Sequence, residues 1–143
     1  MKIRKILLTL SGILVLSMGS FGITSSAAGN YRDTTYEYRF SDYTPYLGWV
    51  TEAREKLDYT SSYMKCTSAP SGHSYTARVA ATNELYFGVL DGVGSPTYTF
   101  SKGTTRYMIN YVKENGYKYA VIGGMPNDNA IWTASGLWSP DSI

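Results

Sequence analysis

Large apolar residues alternate with polar ones over short stretches of this chain, and this period of two is the feature that most restricts its fold. In residues 34–40 an aromatic ring occupies every second position, at Tyr36, Tyr38 and Phe40. In residues 74–82 apolar side chains take every second position from 75 to 81. Successive side chains of a strand point to opposite faces, so this alternation predicts β-strands with one buried face.

Turn-forming residues separate the alternating stretches. The segment Ala-Pro-Ser-Gly at 69–72 lies between the β-type stretches 59–67 and 74–82, so we predict a β-hairpin there. Further strands are expected at 85–89, 97–101 and 131–138, the last with a bulge at Gly136. Many short strands with frequent turns predict an all-β fold, a single small antiparallel β-sandwich or barrel-like domain.

Residues 104–122 are compatible with two structures. A short helix near residues 104–115 would end at Gly116, because glycine is common just after a helix. Alternatively, the alternation at 107–111 predicts a strand that turns at Asn115-Gly116 into a second strand at 117–122. We favour the two strands, because the neighbouring segments are also predicted to be strands.

The first 28 residues have the organisation of a secretory signal peptide. Three basic residues lie within the first five positions, residues 6–16 are mostly apolar, and small residues follow up to Ala28. We therefore predict cleavage after Ala28 and a secreted, extracellular domain over residues 29–143. The apolar run is shorter than the ~20 residues of a membrane span, so no transmembrane anchor is expected after cleavage.

The charge of the secreted part argues against a nucleic-acid partner. The whole chain has 13 Lys and Arg and 11 Asp and Glu, and three of the basic residues lie in the signal peptide. The secreted part therefore has 10 basic and 11 acidic residues and a net charge of −1. Nucleic-acid-binding domains usually carry a basic patch, which is not expected here.

A single cysteine, Cys66, rules out a disulfide within the chain, so the fold must depend on packing. All 14 tyrosines follow the predicted signal peptide. Tyrosine has a large apolar ring and a polar tip, which suits half-buried sheet faces and contact surfaces. Most of these rings are expected in the core, and exposed ones could stack on sugar rings.

Cys66 and His73 are the candidate catalytic residues. In the predicted hairpin they are diagonal neighbours on one face, where a histidine could activate a thiolate nucleophile. However, no acidic residue lies nearby in sequence to orient the imidazole, and a hairpin tip is exposed. We therefore expect no catalytic site.

Other site chemistries are also unsupported by the sequence. Within the stretch 49–57, predicted as a strand with a helix as the alternative, Glu52 and Glu55 alternate with Arg54 and Lys56. Such alternation is typical of a solvated face rather than of a glycosidase pair. Asp128 lies between two asparagines without the spacing of a calcium loop, so a turn is expected there. We expect no metal and no cofactor.

Three segments, TSSYMKC, NYVKENGYKYA and SGLWSPDS, resemble a family of small secreted proteins from Gram-positive bacteria that is known only as a domain of unknown function. This resemblance implies no catalytic residues. The segment SSYMKCTSAPSGHSYTARV is also similar in rhythm to lactococcin-type bacteriocins, which are secreted β-sandwich proteins without disulfides. The second resemblance implies an antagonist of other cells.

The sequence therefore predicts a secreted, non-enzymatic protein that acts by surface contacts outside the cell, with bacteriocin-like action as the leading hypothesis. Its expected partner is a cell envelope or a cell-surface target. The alternative is a cell-wall or carbohydrate-binding module, which requires an exposed row of Tyr or Trp on one sheet face. A hydrolase that uses Cys66 and His73 is the third hypothesis.

Overall fold

Two antiparallel β-sheets pack face to face in the computed structural model, which describes residues 29–41, 48–85 and 90–143. The described residues form nine strands: β1 Thr34–Phe40, β2 Trp49–Val50, β3 Arg54–Glu55, β4 Ser62–Ser68, β5 Tyr75–Thr82, β6 Tyr98–Phe100, β7 Thr105–Met108, β8 Tyr119–Pro126 and β9 Trp132–Ser139. The predicted signal peptide and most of the predicted strand at 85–89 lie outside these ranges.

The all-β prediction is confirmed, and the architecture is a sandwich rather than a closed barrel. One sheet has the strand order β1-β9-β4-β7. The other has the order β2-β8-β5-β6, and β3 pairs with β8 along the same edge as β2, nearer to the start of β8. Within the described ranges no residue is helical, so none contributes a helix that could cross a membrane.

Aromatic rings from both sheets fill the space between them. The alternating rings of β1 are buried as predicted, with Tyr38 fully inaccessible. The Tyr38 ring meets Tyr75 of the opposite sheet edge-on at 5.7 Å, and Tyr75 stacks on Phe100 at 5.3 Å. The Tyr38 hydroxyl donates to the Ile122 carbonyl at 2.7 Å. Burial of these rings therefore joins the sheets without leaving this hydroxyl unpaired.

The predicted hairpin at 59–67 and 74–82 is wrong. Both strands exist, as β4 and β5, but they belong to different sheets. β4 carries a bulge between Cys66 and Ser68, which increases the local twist, and Pro70 has no N–H to donate to a ladder. The 69–74 connection therefore crosses from one sheet to the other instead of closing a hairpin.

Neither of the two structures predicted for residues 104–122 is found in full. β7 is a strand, as favoured, but it pairs with β4 whereas β8 pairs with β5, so no hairpin joins them. The helix is reduced to one turn, in which the Tyr117 N–H donates to the Val112 carbonyl. Gly116, with φ of +77°, ends this turn as a glycine ends a helix. Because Val112 is fully buried, this turn is fastened to the core.

The strand predicted over residues 49–57 is found only in part, as the two short strands β2 and β3, which residues 51–53 separate. The Thr51 hydroxyl accepts a hydrogen bond from the Ile122 N–H at 2.9 Å and so replaces a ladder bond. The expected irregularity near Gly136 is also present, but the extra residue lies opposite, in β4. A β-carbon at Gly136 would lie 1.8 Å from the Lys65 carbonyl oxygen, so only glycine allows this close approach.

Candidate functional site

Cys66 lies in the core and not at an exposed hairpin tip. Its side chain is fully buried, and the thiol donates weakly to the Ser68 carbonyl at 3.5 Å. Burial raises the pKa of the Cys66 thiol, although the hydroxyls of Tyr75 and Tyr36 partly oppose this effect. A protonated, inaccessible thiol is a poor nucleophile, because the thiolate is the reactive form.

His73 is oriented by an acid that is distant in sequence. Its Nδ1 lies 2.8 Å from Oδ2 of Asp128, which is 55 residues further along the chain. The other carboxylate oxygen accepts hydrogen bonds from the Trp132 indole N–H and the Ala130 N–H, both at 3.0 Å. The Ala130 N–H and His73 lower the pKa of Asp128. The sequence contained this acid, but only the antiparallel pairing of β5 with β8 brings it to the histidine.

The His73–Asp128 pair is not joined to the thiol. Among the described side chains, no hydrogen bond links Cys66 to His73, and no hydroxyl is bonded to the imidazole. The described residues also contain no group of three or more His, Cys, Asp and Glu that could hold a metal ion. Asp128, considered above as a calcium ligand, instead caps its own loop.

Lys56 and Asp141 form a buried ion pair, and the prediction of a solvated face is wrong at this lysine. Lys56 Nζ lies 2.6 Å from Asp141 Oδ1 and donates to the Thr60 carbonyl, also at 2.6 Å. Asp141 Oδ2 accepts from the Asn30 N–H at 2.6 Å and the Leu57 N–H at 3.0 Å. This pair therefore fixes residues near 30, 57 and 141 against one another.

Arg54, also predicted to face solvent, is only partly exposed and bridges the two sheets. Its guanidinium donates to the Trp138 carbonyl at 3.1 Å and to the Asn30 side chain at 2.7 Å. The Arg54 Cζ also lies 5.3 Å from the centre of the Trp138 ring. Lys56 and Arg54 therefore have a structural role, because both are hydrogen-bonded to groups at the same end of the sandwich.

A tyrosine-lined groove lies beside this ion pair, on the outer face of the four-stranded sheet. Strand register places Tyr63 of β4 opposite both Ser139 of β9 and Tyr107 of β7. The Tyr63 and Tyr107 ring centres are 5.6 Å apart, and Tyr107 is 61% exposed. The groove has a volume of about 270 Å³ and is lined by Tyr31, Asp33, Tyr63, Tyr107, Ser139, Asp141, Ser142 and Ile143. We call it the tyrosine groove.

The hydroxyls of this groove are neutral hydrogen-bonding groups. A hydrogen bond to Asp58 at 2.9 Å, followed by partial desolvation, raises the pKa of Tyr31. Desolvation and the negative charge of Asp33 raise the pKa of Tyr63. Both rings therefore keep their protons at neutral pH and can offer an apolar face together with a polar edge.

Comparison with known proteins identifies a family but no activity. A family model described as "Protein of unknown function (DUF2712)" matches residues 23–142. No curated protein and no solved structure matches the chain. The match agrees with the expectation that the chain contains a domain of unknown function, and the geometry described above has to carry any functional conclusion.

Proposed function

Because the chain belongs to the DUF2712 family, whose function is unknown, we propose from its own geometry that it is a non-enzymatic binding protein whose tyrosine groove holds a glycan. The observation that carries this proposal is the pairing of Tyr63 and Tyr107 on neighbouring strands, which presents two rings to solvent in a concave site. Two adjacent rings, one exposed and one half-buried, support the carbohydrate-binding alternative, for which an exposed row of Tyr or Trp was expected.

The side chains around the rings suit the two surfaces of a sugar. The apolar faces of Tyr63 and Tyr107 can cover the C–H face of a pyranose ring, which is its less polar side. Ser142 lines the same groove, is partly exposed and supplies a hydroxyl that can bond to a sugar hydroxyl, whereas the Ser139 hydroxyl is buried and donates to the Asp141 carbonyl. A few polar groups beside an apolar wall is the usual composition of a small-molecule site.

The charge of the groove favours a neutral or an amino sugar over an anionic one. Asp33 is exposed and has no ion-pair partner in the part of the chain that the structure describes. The other carboxylate in the groove, Asp141, is neutralised by Lys56. The groove is therefore slightly negative and would repel a phosphate or sulfate while attracting an ammonium group.

The groove is held in shape before any ligand arrives. Asp141 and the backbone N–H of Asn30 are joined at 2.6 Å, and the Tyr31 ring is held by Asp58. A preorganised site loses less conformational entropy on binding than a mobile one. This supports recognition of a sugar, which offers only weak individual contacts.

The proposed place of action is the outside of the cell, at the cell envelope. The predicted signal peptide would deliver the domain to the outside of the cell, where wall glycans are abundant targets. If the glycan belongs to the wall of a related cell, binding there would also account for the bacteriocin-like action considered above. The buried thiol supports a role without nucleophilic catalysis.

The test uses residues 29–143, which include every residue that the structure describes, with a glycan array and a pull-down on purified cell walls. We expect binding to neutral or amino-sugar glycans and loss of that binding in Tyr107→Ala. Tyr59→Ala is the matched control, because Tyr59 is 70% exposed and does not line the groove. Equal losses in the two variants, or no glycan binding at all, would refute the proposal. Growth inhibition of related cells is measured in parallel to test the antagonist role.

A further inference from the structure

A second groove lies on the outer face of the five-stranded sheet, on the opposite side of the sandwich from the tyrosine groove. Val50 of β2 and Arg78 of β5 both lie opposite Gly123 of β8. Because Gly123 has no side chain, a gap separates an apolar wall at Val50 from a cation at Arg78. This space has a volume of about 270 Å³ and is also lined by Met125 and Leu90. We call it the arginine groove.

Arg78 brings an uncompensated positive charge to this groove. Across residues 29–41, 48–85 and 90–143, no carboxylate forms an ion pair with it. Asp91, in the loop over this face, instead accepts hydrogen bonds from the Val93 N–H at 2.8 Å and the Tyr117 hydroxyl at 2.9 Å. The five N–H donors of the guanidinium are therefore available to a ligand.

The neighbouring loop packs closely against the guanidinium at a glycine. A β-carbon at Gly92 would lie 3.3 Å from the Arg78 Cζ, so a side chain at this position would press on the cation. Glycine at 92 therefore lets the loop approach the guanidinium and support it. The space for a ligand lies on the other side of Arg78, where Gly123 separates it from Val50.

Apolar side chains and two threonines, Thr76 and Thr97, make up the remaining wall of the arginine groove. Val50 is 45% exposed and Met125 is 46% exposed, and both line the groove. The groove therefore offers an apolar surface, from Val50 and Met125, next to the cation of Arg78, which suits a ligand with an apolar part and an anionic part. Methionine adapts its shape to a flexible partner, because its side chain is unbranched and polarizable.

We propose that the arginine groove binds a short aliphatic carboxylate. The hydrocarbon chain lies against Val50, Met125 and Leu90, and the carboxylate accepts two parallel hydrogen bonds from Arg78. The groove has a volume of about 270 Å³, and we choose the medium-chain carboxylate octanoate as its probe. This ligand differs in chemistry and in position from the glycan proposed above.

The test is a calorimetric titration of the chain with octanoate, compared with octanol and octylammonium. We expect saturable binding of octanoate that is about tenfold or more tighter than that of either analogue, since a hydrogen bond to a charged group adds about 1.5–3 kcal/mol. Arg78→Gln should weaken octanoate binding by a similar factor, and Arg78→Lys should weaken it less. Arg106→Gln is the matched control, because Arg106 is an exposed strand arginine of the other sheet.

A second variant tests the space rather than the charge. Gly123→Val would fill the gap between Val50 and Arg78, and Gly123 does not require positive φ. It should abolish octanoate binding, whereas Tyr107→Ala should leave it unchanged and so separate this site from the glycan site. Absence of saturable octanoate binding, equal binding of octanol, or an unaltered affinity in Arg78→Gln would overturn the proposal, even if Gly123→Val fails to fold.

Discussion

Lys56 Nζ and Asp141 Oδ1 are 2.6 Å apart in a site where neither side chain is accessible to solvent. The pair joins residue 56 to residue 141, which are 85 positions apart, and the same carboxylate holds the Asn30 N–H. The tyrosine groove is built on this end of the sandwich. Its geometry therefore depends on an ion pair and not only on the sheet.

Asp141→Asn should destabilise the protein by about 2–4 kcal/mol, because it removes the nearer and fully buried counter-ion of Lys56 and leaves only Asp58, whose Oδ1 is 3.5 Å from the ammonium. Denaturation by urea, followed by tryptophan fluorescence, measures the free energy of unfolding. The double variant Lys56→Met, Asp141→Asn is the control, since it removes the buried ammonium while the amide oxygen can still accept from the Asn30 and Leu57 N–H groups, and it should be less destabilised than Asp141→Asn alone. An Asp141→Asn protein as stable as the wild type would show that the ion pair is dispensable.

Asp58 should contribute to the acid dependence of stability. Partial burial opposes its ionisation, but hydrogen bonds from Thr60 and Tyr31 lower the pKa of Asp58 from 3.8 to about 2. A folded-state pKa below the unfolded one gives stability that is present above about pH 4 and is lost as the pH falls towards 2. The free-energy difference between the wild type and Asp58→Asn should therefore shrink over that interval. A difference that stays constant from pH 5 to pH 2 would contradict the assignment.

Cys66 should resist thiol reagents in the native state, because its side chain is fully buried and its thiol pKa is raised by that burial. Labelling with a chromogenic disulfide should be slow without denaturant and fast in urea. Thr67→Cys in a Cys66→Ala background is the control, since Thr67 is the next residue and is exposed. Rapid labelling of the folded wild-type chain would contradict the core position of Cys66.

Gly136→Ala should destabilise the sandwich by about 2 kcal/mol or more, because the added methyl group collides with the Lys65 carbonyl and the Tyr36 ring. Thermal unfolding by circular dichroism measures the change. Ser135→Ala, one position earlier in β9, is the matched control and should unfold within a few degrees of the wild type. If the two variants unfold together, the close approach of β4 and β9 at this position is incorrect.

The alternation of side chains was enough to predict most of the strands. It placed Tyr36, Tyr38 and Phe40 on a buried face, and the rings are buried there. This success has a local cause, because the two faces of a strand are set by the backbone within a few residues. The turn at Gly116 was also visible, since its positive φ favours glycine.

The pairing of strands was not visible, and the candidate sites depend on it. A turn at 69–72 shows where the chain reverses, but not whether the next strand joins the same sheet or crosses to the other. The crossing places Cys66 and His73 outside any common hairpin, and the antiparallel pairing of β5 with β8 brings Asp128 to His73 across 55 residues. Likewise, Tyr63 and Tyr107 become neighbours only because β4 pairs with β7.

The sequence by itself determined that this chain forms strands with aromatic inner faces, because the alternation of apolar and polar residues sets which face of a strand is buried. Only the tertiary structure decided that Lys56 is buried against Asp141, that Arg78 has no ion-pair partner among the residues the structure describes, and that two tyrosines share a groove. These relationships join residues that are distant in the chain, and their energies arise only when the two sheets pack together and exclude water between particular side chains.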